Sequence, residues 1–131
     1  MVTLTQQAET VASKRYYLKD ESGEPEENAN TLLKRVAKAI ASSEKLYGKT
    51  DADTQLTEKE FYDMMSSLNF IPNSPTLMNA GTEQGTLSAC FVLPLEDSME
   101  DIMKAAHDIA MVQKFGGGTG TGFNLFDLIK T

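Results

Sequence analysis

The sequence predicts a mainly α-helical chain with one or two strands, on three observations. Apolar residues recur at helical spacing in three separate stretches, each bounded by capping or glycine signals. Only Leu87–Leu93 combines β-branched and aromatic residues in a short run, and prolines and glycines gather between these segments. At 131 residues there is room for one ordinary domain at most, roughly 100–200 residues being usual.

Residues 1–15 read as a polar leader, 16–70 as a helical region and 71–131 as the start of a second region. Tyr16–Asp20, followed by Glu21–Pro25, reads as an extended segment entering a turn. From Thr31 to Tyr47 the residues Leu32, Leu33, Val36, Ile40 and Tyr47 share a helical face, and Gly48 supplies a left-handed stop. A second helix is announced by Thr57-Glu58-Lys59-Glu60 as a capping box with Leu56 and Phe61 as its staple. Phe61, Met64, Met65 and Leu68 form its expected buried face, where methionine fills gaps between helices.

Pro72-Asn73-Ser74-Pro75-Thr76 predicts a rigid loop and excludes helix, because proline restricts itself and its predecessor. A turn at Asn79-Ala80-Gly81 leads into Leu87–Leu93, read as one buried strand ended by Pro94. A third helix starts at Asp97 or Ser98 as N-cap and runs to Lys114, with Glu100 and Asp101 at its positive end. Met99, Ile102, Met103, Ile109 and Met111 make it apolar around much of its circumference. That predicts packing on two sides or in a subunit interface.

A formal charge of -7, with acids at Asp20–Glu27 and Asp97–Asp101, leaves no basic stripe for a nucleic-acid partner. Small nucleotides stay open, since backbone amides bind phosphate whatever the net charge. No signal pattern precedes residue 15 and no apolar run approaches the roughly 20 residues that cross a bilayer, so a cytoplasmic chain with no membrane partner is expected. His107, the one histidine, has no partner at metal spacing, and no metal site is expected. Capping accounts for Asp97, Glu100 and Asp101 better than a catalytic carboxylate site does. The single cysteine, Cys90, is either a small core residue or half of a reactive pair. Gly116–Gly122 can cradle a phosphate or act as a linker; it follows a helix and lacks a Lys-Ser or Lys-Thr pair, so it is neither a dinucleotide fingerprint nor a Walker loop.

Four motifs in order carry a resemblance: Phe70–Gly81 around Pro72-Asn73-Ser74-Pro75-Thr76, Leu87–Pro94 around Ala89-Cys90, Glu96-Asp97-Ser98-Met99, and Lys114 with Gly116–Gly120. Together with Tyr17-Leu18-Lys19-Asp20 and Arg35–Ile40, this pattern resembles the opening of adenosylcobalamin-dependent ribonucleotide reductases. The resemblance implies a helical N-terminal region ahead of a ten-stranded α/β barrel, of which one or two strands fall in this chain. It implies radical reduction of a ribonucleotide substrate under control of a deoxynucleotide effector, with adenosylcobalamin held by other parts of the enzyme. Ser74, Ala89 and Cys90 match substrate-holding positions, and Gly118 lies where the glycine loop approaches the substrate. Cys90 matches the strand cysteine that supplies reducing equivalents and ends in a disulfide with a later cysteine. Asp97 matches the residue on the effector ribose at a dimer interface, Lys114 faces effector phosphate, and the 98–114 helix joins a homo-oligomer.

Two positions depart from the pattern: Phe115 stands where a serine is usual, and an additional Thr-Gly follows the glycine loop. Because Thr131 precedes most of the barrel, this stretch alone is expected to be inactive. The alternatives are a metal-radical-partnered reductase of the same superfamily and a free-standing nucleotide-binding or interaction module.

Overall fold

The computed structural model describes residues 2–83, 85–114 and 116–122. They fall into two compact units, 1–87 and 88–131. The boundary thus lies between Leu87 and Ser88, so the Ser74 segment belongs to the helical unit, not to the second region drawn from residue 71.

The first unit begins with helix α1 (Gln6–Arg15), capped by Thr5, whose hydroxyl accepts from the Ala8 amide at 3.2 Å. The polar leader is therefore a helix from residue 6. Its only buried residue is Ala12, too short a stripe to show as periodicity. The chain then runs extended and turns back, with Lys19 and Pro25 in an antiparallel bridge. Helix α2 (Ala29–Ala41) opens on a capping box between Asn28 and Thr31 and buries Leu32, Leu33, Val36, Ala37 and Ala41. It stops short of the expected Tyr47. Ser42 and Ser43 return their hydroxyls to the Ala39 and Ile40 carbonyls at 2.6 and 2.7 Å, and the chain tightens into a 3-10 helix (Ser42–Tyr47). Gly48 then takes φ +75°, as expected of the stop.

Helix α3 (Asp51–Ser66) starts six residues before the expected Thr57. Its capping box is Thr50 with Asp53: the Asp53 amide donates to the Thr50 hydroxyl at 3.2 Å, and the Thr50 amide to the Asp53 carboxylate at 3.0 Å. Thr57 sits within the helix. Of the expected buried face only Met65 is buried; Phe61 is half-buried, while Met64 and Leu68 are exposed. Helices α2 and α3 pack together, and the core gathers Ala12, Tyr17, Leu32, Leu33, Val36, Ala37, Met65, Leu77 and Ala80.

The proline segment is helical from Ser74, not the loop expected of it. Ser74–Asn79 form a short helix, α4, in which Asn73 accepts from the Thr76 amide at 2.9 Å and Pro75 occupies the first turn. Proline is tolerated there because first-turn amides have no partner inside the helix. Gly81 follows at φ +79°, making the expected turn.

The second unit holds strand β1 (Cys90–Leu93), helix α5 (Met99–Lys114) and strand β2 (Gly118–Thr121). The strands are parallel, with Cys90 opposite Gly118 and Leu93 opposite Thr121. Beta pairing begins at Cys90, not Leu87, and the strand is not buried: Val92 is 90 % exposed. Ser98 caps α5, its hydroxyl accepting from the Asp101 amide at 3.1 Å. The helix packs against both strands and buries Ala105, leaving Met99, Ile102, Met103 and Met111 exposed. No described helix is long and apolar enough to cross a membrane. The fold is mainly helical with two short parallel strands.

Candidate functional site

The glycine stretch is built for three separate tasks. Gly116 takes φ +83°, its amide donating to the Gln113 carbonyl at 2.9 Å, while the Gly117 amide donates to the Val112 carbonyl at 3.1 Å. These paired bonds close α5 in a left-handed stop. Gly117 is buried, and a Cβ there would lie 2.7 Å from Val112 Cγ1 and 2.9 Å from the Phe91 ring. Gly118 begins β2, so the segment is neither a free linker nor an isolated loop.

At that point the second unit joins three of the expected substrate residues. The Gly118 amide donates to the Ala89 carbonyl at 2.7 Å, and Cys90 pairs in register with Gly118. Within this chain Cys90 is exposed. A thiol in that position is open to reaction partners, and the absence of a side chain at Gly118 leaves space beside it.

Ser74 lies in the first unit, at the start of α4, half-buried, with its Oγ 3.1 Å from the Tyr16 hydroxyl. Arg35 organises its surroundings. Its guanidinium forms a two-point ion pair with Glu27, at 2.7 and 3.0 Å, and donates to the carbonyls of Ala80 at 2.5 Å, Leu77 at 3.1 Å and Tyr16 at 3.3 Å. No feature of the local sequence marks Tyr16 or Arg35, since their partners are distant in the chain.

The two expected effector residues are not brought together. Asp97 is exposed just before α5 and Lys114 is its last residue, so they lie at opposite ends of a helix about 24 Å long at 1.5 Å of rise per residue. His107 is exposed on the same helix, its Nδ1 3.2 Å from Asp108. Hydrogen bonds from His107 and Lys104 hold the Asp108 carboxyl below its usual range. Among the described residues no cluster of three metal-ligating side chains occurs. Phe115 lies outside the described residues.

Two family models match: "Ribonucleotide reductase, all-alpha domain" over residues 2–85 and "Ribonucleotide reductase, barrel domain" over residues 88–126. Their junction coincides with the division between the two compact units. A vitamin B12-dependent ribonucleoside-diphosphate reductase of Mycobacterium tuberculosis is 42 % identical over 117 residues, 89 % of this chain and 17 % of that protein. A protein of the same description from Thermoplasma acidophilum is 36 % identical, covering 92 % of this chain and 23 % of its own length. A ribonucleoside-diphosphate reductase subunit alpha of Helicobacter pylori is 32 % identical over 85 % of this chain and 13 % of its own. The chain spans between an eighth and a quarter of these relatives' lengths. It belongs to the ribonucleotide reductase large-chain family, to whose N-terminal region it corresponds.

Proposed function

We propose that this chain is the N-terminal part of a reductase that converts ribonucleotides to deoxyribonucleotides by radical chemistry, of the adenosylcobalamin-dependent kind. The observation that carries the reading is the exposed thiol of Cys90 paired against Gly118, with Ala89 joined to the same glycine. The cobalamin assignment is supported by the relatives at 42 % and 36 % identity, both described as vitamin B12-dependent. The Helicobacter pylori relative, at 32 %, is described as a ribonucleoside-diphosphate reductase subunit alpha.

In this reading Ser74, Ala89, Cys90 and Gly118 hold the substrate, hydroxyls and backbone amides being suited to phosphate oxygens. Cys90 is the reductant. As the ribose C–O bond breaks and a C–H bond replaces it, Cys90 and a second thiol give up two electrons and two protons, one hydrogen ending on the carbon and one in the departing water, and the two sulfurs become a disulfide. Cys90 is the only cysteine of the 131 residues, so that second thiol lies outside them. Adenosylcobalamin supplies the initiating radical when bound, but the described residues do not fit it: the one imidazole, His107, stands 72 % exposed on a helix face beside Asp108. No step assigned to this chain runs through the cofactor.

The exposed methionines and Ile102 of α5 support self-association through that helix, because such apolar strips are unfavourable in water. Antiparallel pairing of α5 about a two-fold axis sets Asp97 of one copy near the partner's Lys114, although within one copy the two stand at opposite ends of the helix. A deoxynucleotide effector would then take its ribose contact from Asp97 and its phosphate contact from Lys114. The proposed setting is the cytoplasm, where thiols are kept reduced.

The test is reduction of a ribonucleoside diphosphate by the complete gene product, with a dithiol reductant, with and without adenosylcobalamin. Turnover that requires the cofactor and is lost in Cys90→Ser is expected. Turnover unchanged in Cys90→Ser would refute the assignment of the reductant.

A further inference from the structure

Ser74 carries one hydroxyl proton, and a phosphate oxygen is only an acceptor. Ser74 can therefore bind phosphate only by donating that proton, and its lone pairs must be met from elsewhere. The Tyr16 hydroxyl stands 3.1 Å from Ser74 Oγ, across 58 residues of sequence. A phenol donating to Ser74 Oγ turns the serine proton outward. It also strengthens the serine as a donor, since hydrogen bonds in a chain polarise one another.

We propose that Tyr16 is a positioning residue for nucleotide phosphate, acting through Ser74 Oγ; this rests on the reading of Ser74 as a substrate contact. The surroundings hold Tyr16 in place for that role. Its carbonyl accepts from Arg35 at 3.3 Å, and the same guanidinium donates to the Leu77 and Ala80 carbonyls at the far end of α4. One cation thus ties the helix that starts with Ser74 to the residue that supplies the second hydroxyl. The Arg15 guanidinium lies 5.8 Å from the centroid of the Tyr16 ring, which favours a fixed ring plane. The neighbouring phenol, Tyr17, is engaged elsewhere, donating to Glu9 at 2.8 Å. Tyr16 and Ser74 are both only half-buried, so a ligand can reach the pair.

The experiment measures dissociation constants of the complete gene product for cytidine diphosphate and, as the phosphate-free probe, cytidine. Tyr16→Phe removes the hydroxyl and keeps the ring. The expected result is about three- to ten-fold weaker binding of the diphosphate, the effect of one hydrogen bond, with cytidine unaffected and the melting temperature within about 2 °C. Ser74→Ala should weaken the diphosphate in the same way, and the double variant should be no weaker than Ser74→Ala alone. Equal weakening of both probes by Tyr16→Phe, or losses that add in the double variant, overturns the role of Tyr16. If the wild type binds no diphosphate, or Ser74→Ala leaves its binding unchanged, the reading of Ser74 itself falls, and the role of Tyr16 with it. Weakening by Ser74→Ala without weakening by Tyr16→Phe refutes Tyr16 alone.

Discussion

Replacing Arg35 by alanine tests the idea that one buried cation holds the helical unit together. The Arg35 and Glu27 side chains are only 12 % and 9 % exposed, and they meet at two points. Truncation leaves the Glu27 carboxylate buried, still accepting from the Leu18 amide 2.9 Å away, and withdraws a donor from three carbonyls. Breaking a buried pair in this way costs about 3–5 kcal/mol. A unit of this size has a total stability of about 4–13 kcal/mol, from 0.05–0.15 kcal/mol per residue. Arg35→Ala should therefore unfold at much lower urea, or not fold at room temperature. Tyrosine fluorescence is a clean probe, because all four tyrosines, Tyr16, Tyr17, Tyr47 and Tyr62, lie in the first unit and the chain has no tryptophan. Glu27→Leu combined with Arg35→Met should recover part of the loss, since the pair is then replaced and not broken. A loss below about 1 kcal/mol for Arg35→Ala, the range of an exposed ion pair, would refute the reasoning.

Gly117→Ala should destabilise the second unit by about 1–3 kcal/mol, because its Cβ would press on Val112 and Phe91; thermal unfolding followed by circular dichroism measures it. Leu68, two residues past the end of α3, takes φ +60° and is 55 % exposed, so Leu68→Gly should raise stability by about 0.5–1 kcal/mol, read as a higher melting temperature. The Asp53 carboxyl is held below its usual range by hydrogen bonds from the Thr50 hydroxyl and amide. A folded value below the unfolded one stabilises α3 above the ordinary carboxylate range, and that contribution is lost as pH falls through the folded value. In Asp53→Asn the acid limb of the stability profile should flatten, as urea midpoints across pH would show. Met103→Glu places a charge on the exposed strip of α5 and should shift sedimentation toward monomer, whereas an unchanged profile would exclude α5 from the interface.

Much of the helical framework was legible because it is written in side chains. Leu32, Leu33 and Val36 repeat at helical spacing, and Gly48 and Ser98 act at the ends where their chemistry belongs. What stayed hidden had specific causes. Helix α1 buries one alanine and so has no visible stripe. The start of α3 is capped by Thr50 with Asp53, while Thr57 and Glu60, with the commoner capping pair, lie further along and draw the eye. In α4 a proline that would break a helix interior is harmless in the first turn. Strand β2 is Gly-Thr-Gly-Thr, in which half the positions carry no side chain to alternate. The site was legible in part: Ala89, Cys90 and Gly118 do adjoin, but Tyr16 beside Ser74 depends on a contact that no local pattern encodes.

The two neighbouring glycines at 117 and 118 are constrained for opposite reasons. A methyl group at 117 meets solid packing, whereas at 118 it would touch only the Ala89 carbonyl, at an ordinary 3.5 Å. Position 118 is thus open to alanine as far as folding is concerned, yet it lies directly across from the Cys90 sulfur's own residue. In the role proposed for Cys90, a sulfur that swaps one covalent neighbour for another needs elbow room, and a bare backbone opposite would provide it. The first glycine therefore guards the packing of its unit, and the second, under that proposal, the freedom of a single atom to move.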